Sequence, residues 1–141
     1  MGEKWIEMTR ALVHPWLCDS QDHLNTRHHA AMFDEASWLV LGMIGYKSSM
    51  AKDIGLGWAD VKHTTEFKNE APLGAFLRVE STISRVGNSS ITICHRMLNT
   101  DEDSLVATFE GITVAYDLAT RKSQPLPPQM KESAASLFAV V

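Results

Sequence analysis

Cysteine is scarce in this chain, and the two present, Cys18 and Cys94, stand in unlike contexts with neither a CxxC pair nor the spacing of a disulfide framework. That points away from a stapled secreted scaffold and toward a reduced, cytoplasmic setting. Basic clusters are missing as well. Thirteen Lys and Arg against 17 Asp and Glu give a formal net charge of −4 with the signs interspersed, so nothing supplies sequence-independent attraction to a phosphate backbone. Nucleic acid is not an expected partner. The longest apolar run, WLVLGMIG at 38–45, is far too short to cross a bilayer, and the N-terminus lacks the charged-then-apolar order of a signal peptide. No membrane association is expected, and no internal repeat or low-complexity segment stands out.

What remains is 141 residues, 45% of them hydrophobic, enough for one buried core and one domain spanning 1–141. Residues 5–17, WIEMTRALVHPWL, predict an early strand that stops near Pro15. From His28 to Gly45 the apolar residues Met32, Phe33, Ala36, Leu39, Val40 and Met43 recur at intervals of three and four, the helical period, with Gly45 as a stop and Asn25 or Thr26 as N-cap. Residues 46–57 form a connection with a turn of helix around Ser48 to Asp53. Stretches rich in Thr, Val and Ile at 58–68, 76–86, 89–98 and 105–117 then predict antiparallel strands joined as hairpins through NEAPLG, GNSS and NTDEDS. In the second of these, Leu77, Val79, Ser81 and Ile83 share one face, and Arg78, Glu80, Thr82 and Ser84 the other. The segment KESAASLF predicts a short closing helix. One apolar helix that needs cover on more than one side, with strands around it, is an α+β arrangement.

The chemistry concentrates at one junction. CDSQDHLNTRHH, residues 18–29, sets two aspartates, three histidines and an arginine between the first strand and the long helix. By local sequence Asp19 serves as a turn or capping residue or as a reactive carboxylate. A helix N-terminus offers unpaired N–H groups and a positive dipole end, so a carboxylate just upstream brings an attacking or water-activating group to a ready oxyanion donor. Asn25 braces or caps the loop, and His23 shapes it by bonding a backbone carbonyl. Asp19, Asp22, His23, His28 and His29 are metal-ligating types. Adjacent histidines on a helix diverge, however, and no HExxH or cysteine spacing accompanies them, so no metal is expected.

The stretch Asp19-Ser-Gln-Asp22-His23-Leu-Asn25, followed by HHAAMFDEAS, resembles the D-x-x-G-H-x-N signature and helix of hotdog-fold acyl-CoA thioesterases of the 4-hydroxybenzoyl-CoA thioesterase type. The downstream EAPLGAFLRVESTISRVGNSSITICHRM and LVATFEGITVAYD are similar to that family's strand pairs, so the likeness runs nearly end to end. Asp22 departs from it, standing where the family has glycine. The resemblance implies a curved antiparallel sheet wrapped around one central helix, and a homodimer or, paired again, a homotetramer with acyl-CoA between protomers. It also implies Asp19 as nucleophile or general base, and the Thr26 backbone N–H as the oxyanion donor. CoA is then part of the substrate and no separate cofactor is needed.

Arg85, Asn88 and Ser89, at a hairpin end, are the candidates for CoA contacts, although turn chemistry accounts for Asn88 equally well. Glu35 is a secondary carboxylate, placed where some hotdog thioesterases carry a catalytic glutamate. Four tryptophans are many for this length, and Trp38 sits on the central helix, where an aromatic face attracts quaternary ammonium groups. HTTEFKNEAPLG and RKSQPLPP are similar to betainyl-CoA thioesterase domains of carnitine breakdown, which makes betainyl-CoA a candidate substrate. Two alternatives are a non-catalytic acyl-CoA-binding module and an enoyl-thioester hydratase, whose Asn-Pro pair DSQDHLN lacks.

Overall fold

The computed structural model describes residues 4–140. The elements run β1 (Ile6–Leu12), α1 (Thr26–Met43), α2 (Ser49–Asp53), β2 (Leu56–Phe67), β3 (Phe76–Val86), β4 (Ser90–Asn99), β5 (Ser104–Asp117) and α3 (Pro128–Phe138), with a 3-10 turn at Pro15–Leu17. The strands form one antiparallel sheet ordered β1-β3-β4-β5-β2. The long helix lies on the sheet, crossing β3, β1 and β4.

Three expectations change. The first strand ends at Leu12, before Pro15, because the Val13 N–H turns to the Ala75 carbonyl and a 3-10 turn opens with Pro15 at its first position. NEAPLG is not a hairpin, since β2 pairs with β5 and β3 with β1, so this segment carries the chain across the sheet from one edge to the far side. Pairing of β2 with the fourteen-residue β5 satisfies eleven register positions, which no contact with β3 provides. Thr82, which alternation places on the polar face with Arg78 and Glu80, is fully buried.

Helix α1 has two halves with different duties. Phe33 and Ala36 pack with Val13, Leu77, Val79 and Met97 in one cluster, while Val40, Leu41 and Ile44 pack with Ile83, Ile91 and Ile93 in a second. Met130, Ala134 and Phe138, spaced four apart on α3, cover that second cluster. The closing helix is therefore a lid on the core, opened by Pro128 at its first turn and ended by Ala139 in the left-handed region. Leu39 and Met43 of the predicted apolar stripe stay exposed, as does Trp38. Among the described residues no helix is long and apolar enough to cross a membrane.

Candidate active site

Asn25 organises the junction. Its side-chain oxygen accepts from the Arg27 N–H at 3.1 Å, capping α1, while its amide nitrogen donates to Asp19 Oδ2 at 3.5 Å. Its backbone N–H donates to the Leu17 carbonyl, and its own carbonyl accepts from the His28 N–H and from the His29 ring at 3.2 Å. The other Asp19 oxygen accepts from the Gln21 N–H at 2.9 Å. The carboxylate thus leaves the chain in a closed turn, with His23 O bonded by the Asp19 N–H and Asp19 O by the Asp22 N–H. Asp22 takes φ 58, the left-handed conformation that glycine adopts freely, and its carbonyl accepts from the Leu73 N–H.

Asp19 and Thr26 line one cleft of about 360 Å³ between the start of α1 and the end of β2, with His23, His29, Lys68 and Glu70 among its other walls. No acceptor is found for the Thr26 N–H among the described residues. His23 does not bond a backbone carbonyl as expected. Its Nε2 lies 3.2 Å from Glu70 Oε2, because the bridge between His23 and Pro72 brings residues 70–72 alongside the loop. Burial pushes the His29 imidazole below its ordinary value, against the opposing bond to the Asn25 carbonyl.

A second cleft of about 250 Å³ continues along the groove between α1 and β2. Asp34, Ser37 and Trp38 come to it from the helix, Trp58, Asp60 and His63 from β2, and Phe109 from β5. The register shift between Asp60 and Lys62 changes the parity of β2, so that Trp58 and Asp60 before it, and His63, Thr65 and then Phe67 after it, all face the groove. Behind this cleft lies His95, 1% exposed, with Nε2 at 2.7 Å from Ser37 Oγ and Nδ1 at 2.6 Å from Ser81 Oγ. Its ring lies against those of both Phe33 and Phe109, which also touch each other, so that the three form a cluster with centroids 5.1–5.7 Å apart. Burial drives its pKa down from 6.5 to about 3, with the Phe33 carbonyl opposing the shift and His63 adding to it.

The predicted residues divide accordingly. Asp19, His23 and Thr26 meet in the first cleft, with Asn25 bracing it, and Trp38 lines the second. Glu35 is exposed and lines neither, since the helical turn points its neighbour Asp34 at the groove instead. Arg85, Asn88 and Ser89 sit at the β3–β4 turn, which lies with the Leu56 end of β2, whereas Asp19 lies with the Phe67 end. One chain does not bring them together. Glu70, Asp60, His63 and Ser37 give no sequence signal, and His95, on a strand-like stretch, reads from sequence as no more than a groove-lining or surface residue. Among the described residues no group of three or more His, Cys, Asp or Glu side chains is placed to hold a metal ion.

Residues 13–133 match the profile of the thioesterase-like superfamily. No curated protein matches the sequence. Among solved structures, a hypothetical protein from Staphylococcus aureus in complex with CoA superposes with a TM-score of 0.90 at 15% identity, covering 99% of this chain and 87% of that one. A 1,4-dihydroxy-2-naphthoyl-CoA thioesterase from Synechocystis gives 0.81 at 19%, covering 96% and 98%. A gentisyl-coenzyme A thioesterase gives 0.77 at 17%, covering 94% and 100%. At these identities the likeness concerns the fold, which is the α+β hotdog arrangement.

Two outcomes follow from this geometry. Replacing Asp22 by glycine should leave stability within about 1 kcal/mol, because the left-handed turn is retained, whereas Asp22→Val should cost about 1–2 kcal/mol in urea unfolding; equal stability of the two variants would refute the strained turn. Below the ordinary imidazole value of 6.5, the unfolded chain binds a proton at His95 that the folded chain refuses until about pH 3. Unfolding free energy should therefore decline by about 1.4 kcal/mol per pH unit from this group as pH falls across that window, read as the difference in slope between wild type and His95→Gln.

Proposed function

The chain belongs to the thioesterase-like superfamily, and on that premise we propose that it hydrolyses an acyl-CoA thioester to free acid and CoA at the Asp19–Thr26 cleft. The observation that carries this reading is that one cavity is lined by a braced carboxylate and by Thr26, whose backbone N–H has no acceptor among the described residues. Asp19 acts as nucleophile, or as general base toward water. The Thr26 N–H, at the positive end of α1, stabilises the oxygen as negative charge develops on it, and the CoA thiolate departs. Asn25 holds the carboxylate, and His23, paired with Glu70, shapes the loop.

A second copy completes the site. Strand β2 is a sheet edge, and α1 leaves Leu39 and Met43 exposed. Antiparallel pairing of β2 with its own copy would set the Phe67 end of one protomer beside the Leu56 end of the other. The Asp19 cleft of one chain then abuts the Trp38–Trp58 cleft and the Arg85–Ser89 turn of its partner. Within a single chain, eleven residues of α1 separate Thr26 from Ser37, about 16 Å along the axis, too far for a short acyl group. The acyl group therefore lodges in the partner's second cleft, and CoA meets Lys68 and the partner's turn. A homodimer is the minimal unit of this reading. Sedimentation showing only monomers of a fully active protein would dismiss this arrangement.

The lining of that second cleft suits a compact acyl group carrying fixed positive charge. Trp38, Trp58 and Phe109 offer aromatic faces, and Asp34 and Asp60 offer carboxylates. Betainyl-CoA, which would yield glycine betaine, is the simplest such substrate. The deciding experiment is thiol release over a panel of betainyl-, aromatic and medium-chain acyl-CoAs. Asp19→Asn should lower turnover about a hundredfold or more with the fold intact, and Glu35→Gln should be silent. Tight acyl-CoA binding without thiol release would replace hydrolysis by a binding role, and ready cleavage of the aromatic or medium-chain acyl-CoAs but not of betainyl-CoA would end the betainyl-CoA assignment.

A further inference from the structure

Catalysis at Asp19 makes no use of His95, although the protein encloses this ring completely and bonds both of its nitrogens to hydroxyls. Neutral imidazole carries one N–H and one bare nitrogen, so one serine must donate to the ring and the other accept from it. Ser81 is fully buried, and His95 is its only side-chain partner among the described residues. If Ser81 accepted, its own hydroxyl proton would be buried with nothing to receive it, a penalty that donation to Nδ1 avoids. Nε2 then carries the proton and donates to Ser37 Oγ. The Phe33 carbonyl, one turn earlier on α1, lies against the same ring and opposes the loss of its proton. With its oxygen engaged from behind, Ser37 has no other acceptor among the described residues, and it lines the second cleft. A further donor stands on that lining: Trp58 Nε1 is buried without an acceptor among the described residues.

We propose that Ser37 is a specificity-determining hydrogen-bond donor for the acyl group, its proton turned into the cleft by the Ser81–His95 pair behind it. Building on the reading that the acyl group occupies this cleft, the thioester oxygen belongs to Thr26, so Ser37 addresses a further oxygen on the acyl chain. A hydroxyl or keto oxygen fits. A carboxylate does not, because Asp34 and Asp60 line the same walls. Betainyl-CoA has no such oxygen, so among cationic acyl groups the site favours those that carry one. His95 and Ser81 touch no substrate and act as positioning residues.

The test uses two probes that differ by one oxygen, 4-(trimethylammonio)butanoyl-CoA and its 3-hydroxy derivative, titrated calorimetrically into Asp19→Asn protein so that binding is read without turnover. The hydroxylated probe should bind about five- to tenfold tighter. That preference should vanish in the Asp19→Asn, Ser37→Ala double variant, shrink with Ser81→Ala, and persist with Ser37→Thr. Nitrogen-15 NMR of the wild type should find His95 protonated at Nε2. An Nδ1-protonated ring, equal affinities for the two probes, a preference that survives loss of the Ser37 hydroxyl, or failure of both probes to bind would each overturn the assignment. Thiol release from any acyl-CoA, lost on Asp19→Asn, would leave the hydrolytic reading standing in every one of those cases.

Discussion

One side chain of two polar atoms and its own backbone tie the reactive end of this molecule together. Asn25 closes the first turn of α1 through Arg27, reaches back to the Asp19 carboxylate, holds the Leu17 carbonyl, and receives His29 on its own carbonyl. Each bond is ordinary in strength. Their joint effect is to make the direction of the helix and the position of the carboxylate a single quantity. Asn25 takes up the Arg27 N–H, the Thr26 N–H beside it has no acceptor among the described residues, and Thr26 and Asp19 line the same cleft at the positive end of α1.

The groove is the second constraint, and it follows from where the helix rests. Helix α1 settles on β3, β1 and β4, burying Phe33, Ala36, Val40 and Leu41. That leaves a furrow against the edge strand β2, and the register shift in β2 fills it with side chains that simple alternation would divide between two faces. A bulge of this kind costs one ladder position and redirects the rest of the strand. The furrow is walled from behind by the cluster of Phe33, His95 and Phe109, each ring in contact with the other two. A neutral imidazole at the centre of that wall transmits the donor direction of one hydroxyl to another across the core, which an apolar residue of the same volume would not do.

Much of the architecture was legible because it is carried by local periodicity and by turn chemistry. The three-and-four spacing of Phe33, Ala36 and Val40 marks the long helix, the β-branched stretches mark the strands, and a short polar residue before Thr26 marks the cap. The carboxylate upstream of that cap was visible for the same reason, since eight residues of chain cannot place Asp19 far from Thr26. Glu35 and Asp34 show the limit of such reasoning: neighbours in sequence, they are about 100° apart around the helix, and only one faces the groove. The sequence suggests a backbone carbonyl as the partner of His23, whereas the ring meets Glu70, which arrives from another part of the chain.

By itself, then, the sequence determined the elements, the helix cap, and the adjacency of the acid to the helix end, all of which depend on contacts within a few residues. The tertiary structure alone decided which strand stands beside which, and so sent NEAPLG across the sheet and separated the Arg85–Ser89 turn from Asp19. It also decided that His95, fifty-eight residues from Ser37, would stand behind it. Pairing between distant segments is settled by the burial of whole faces and by the need to satisfy every enclosed polar atom, and neither quantity can be summed until the chain has closed on itself.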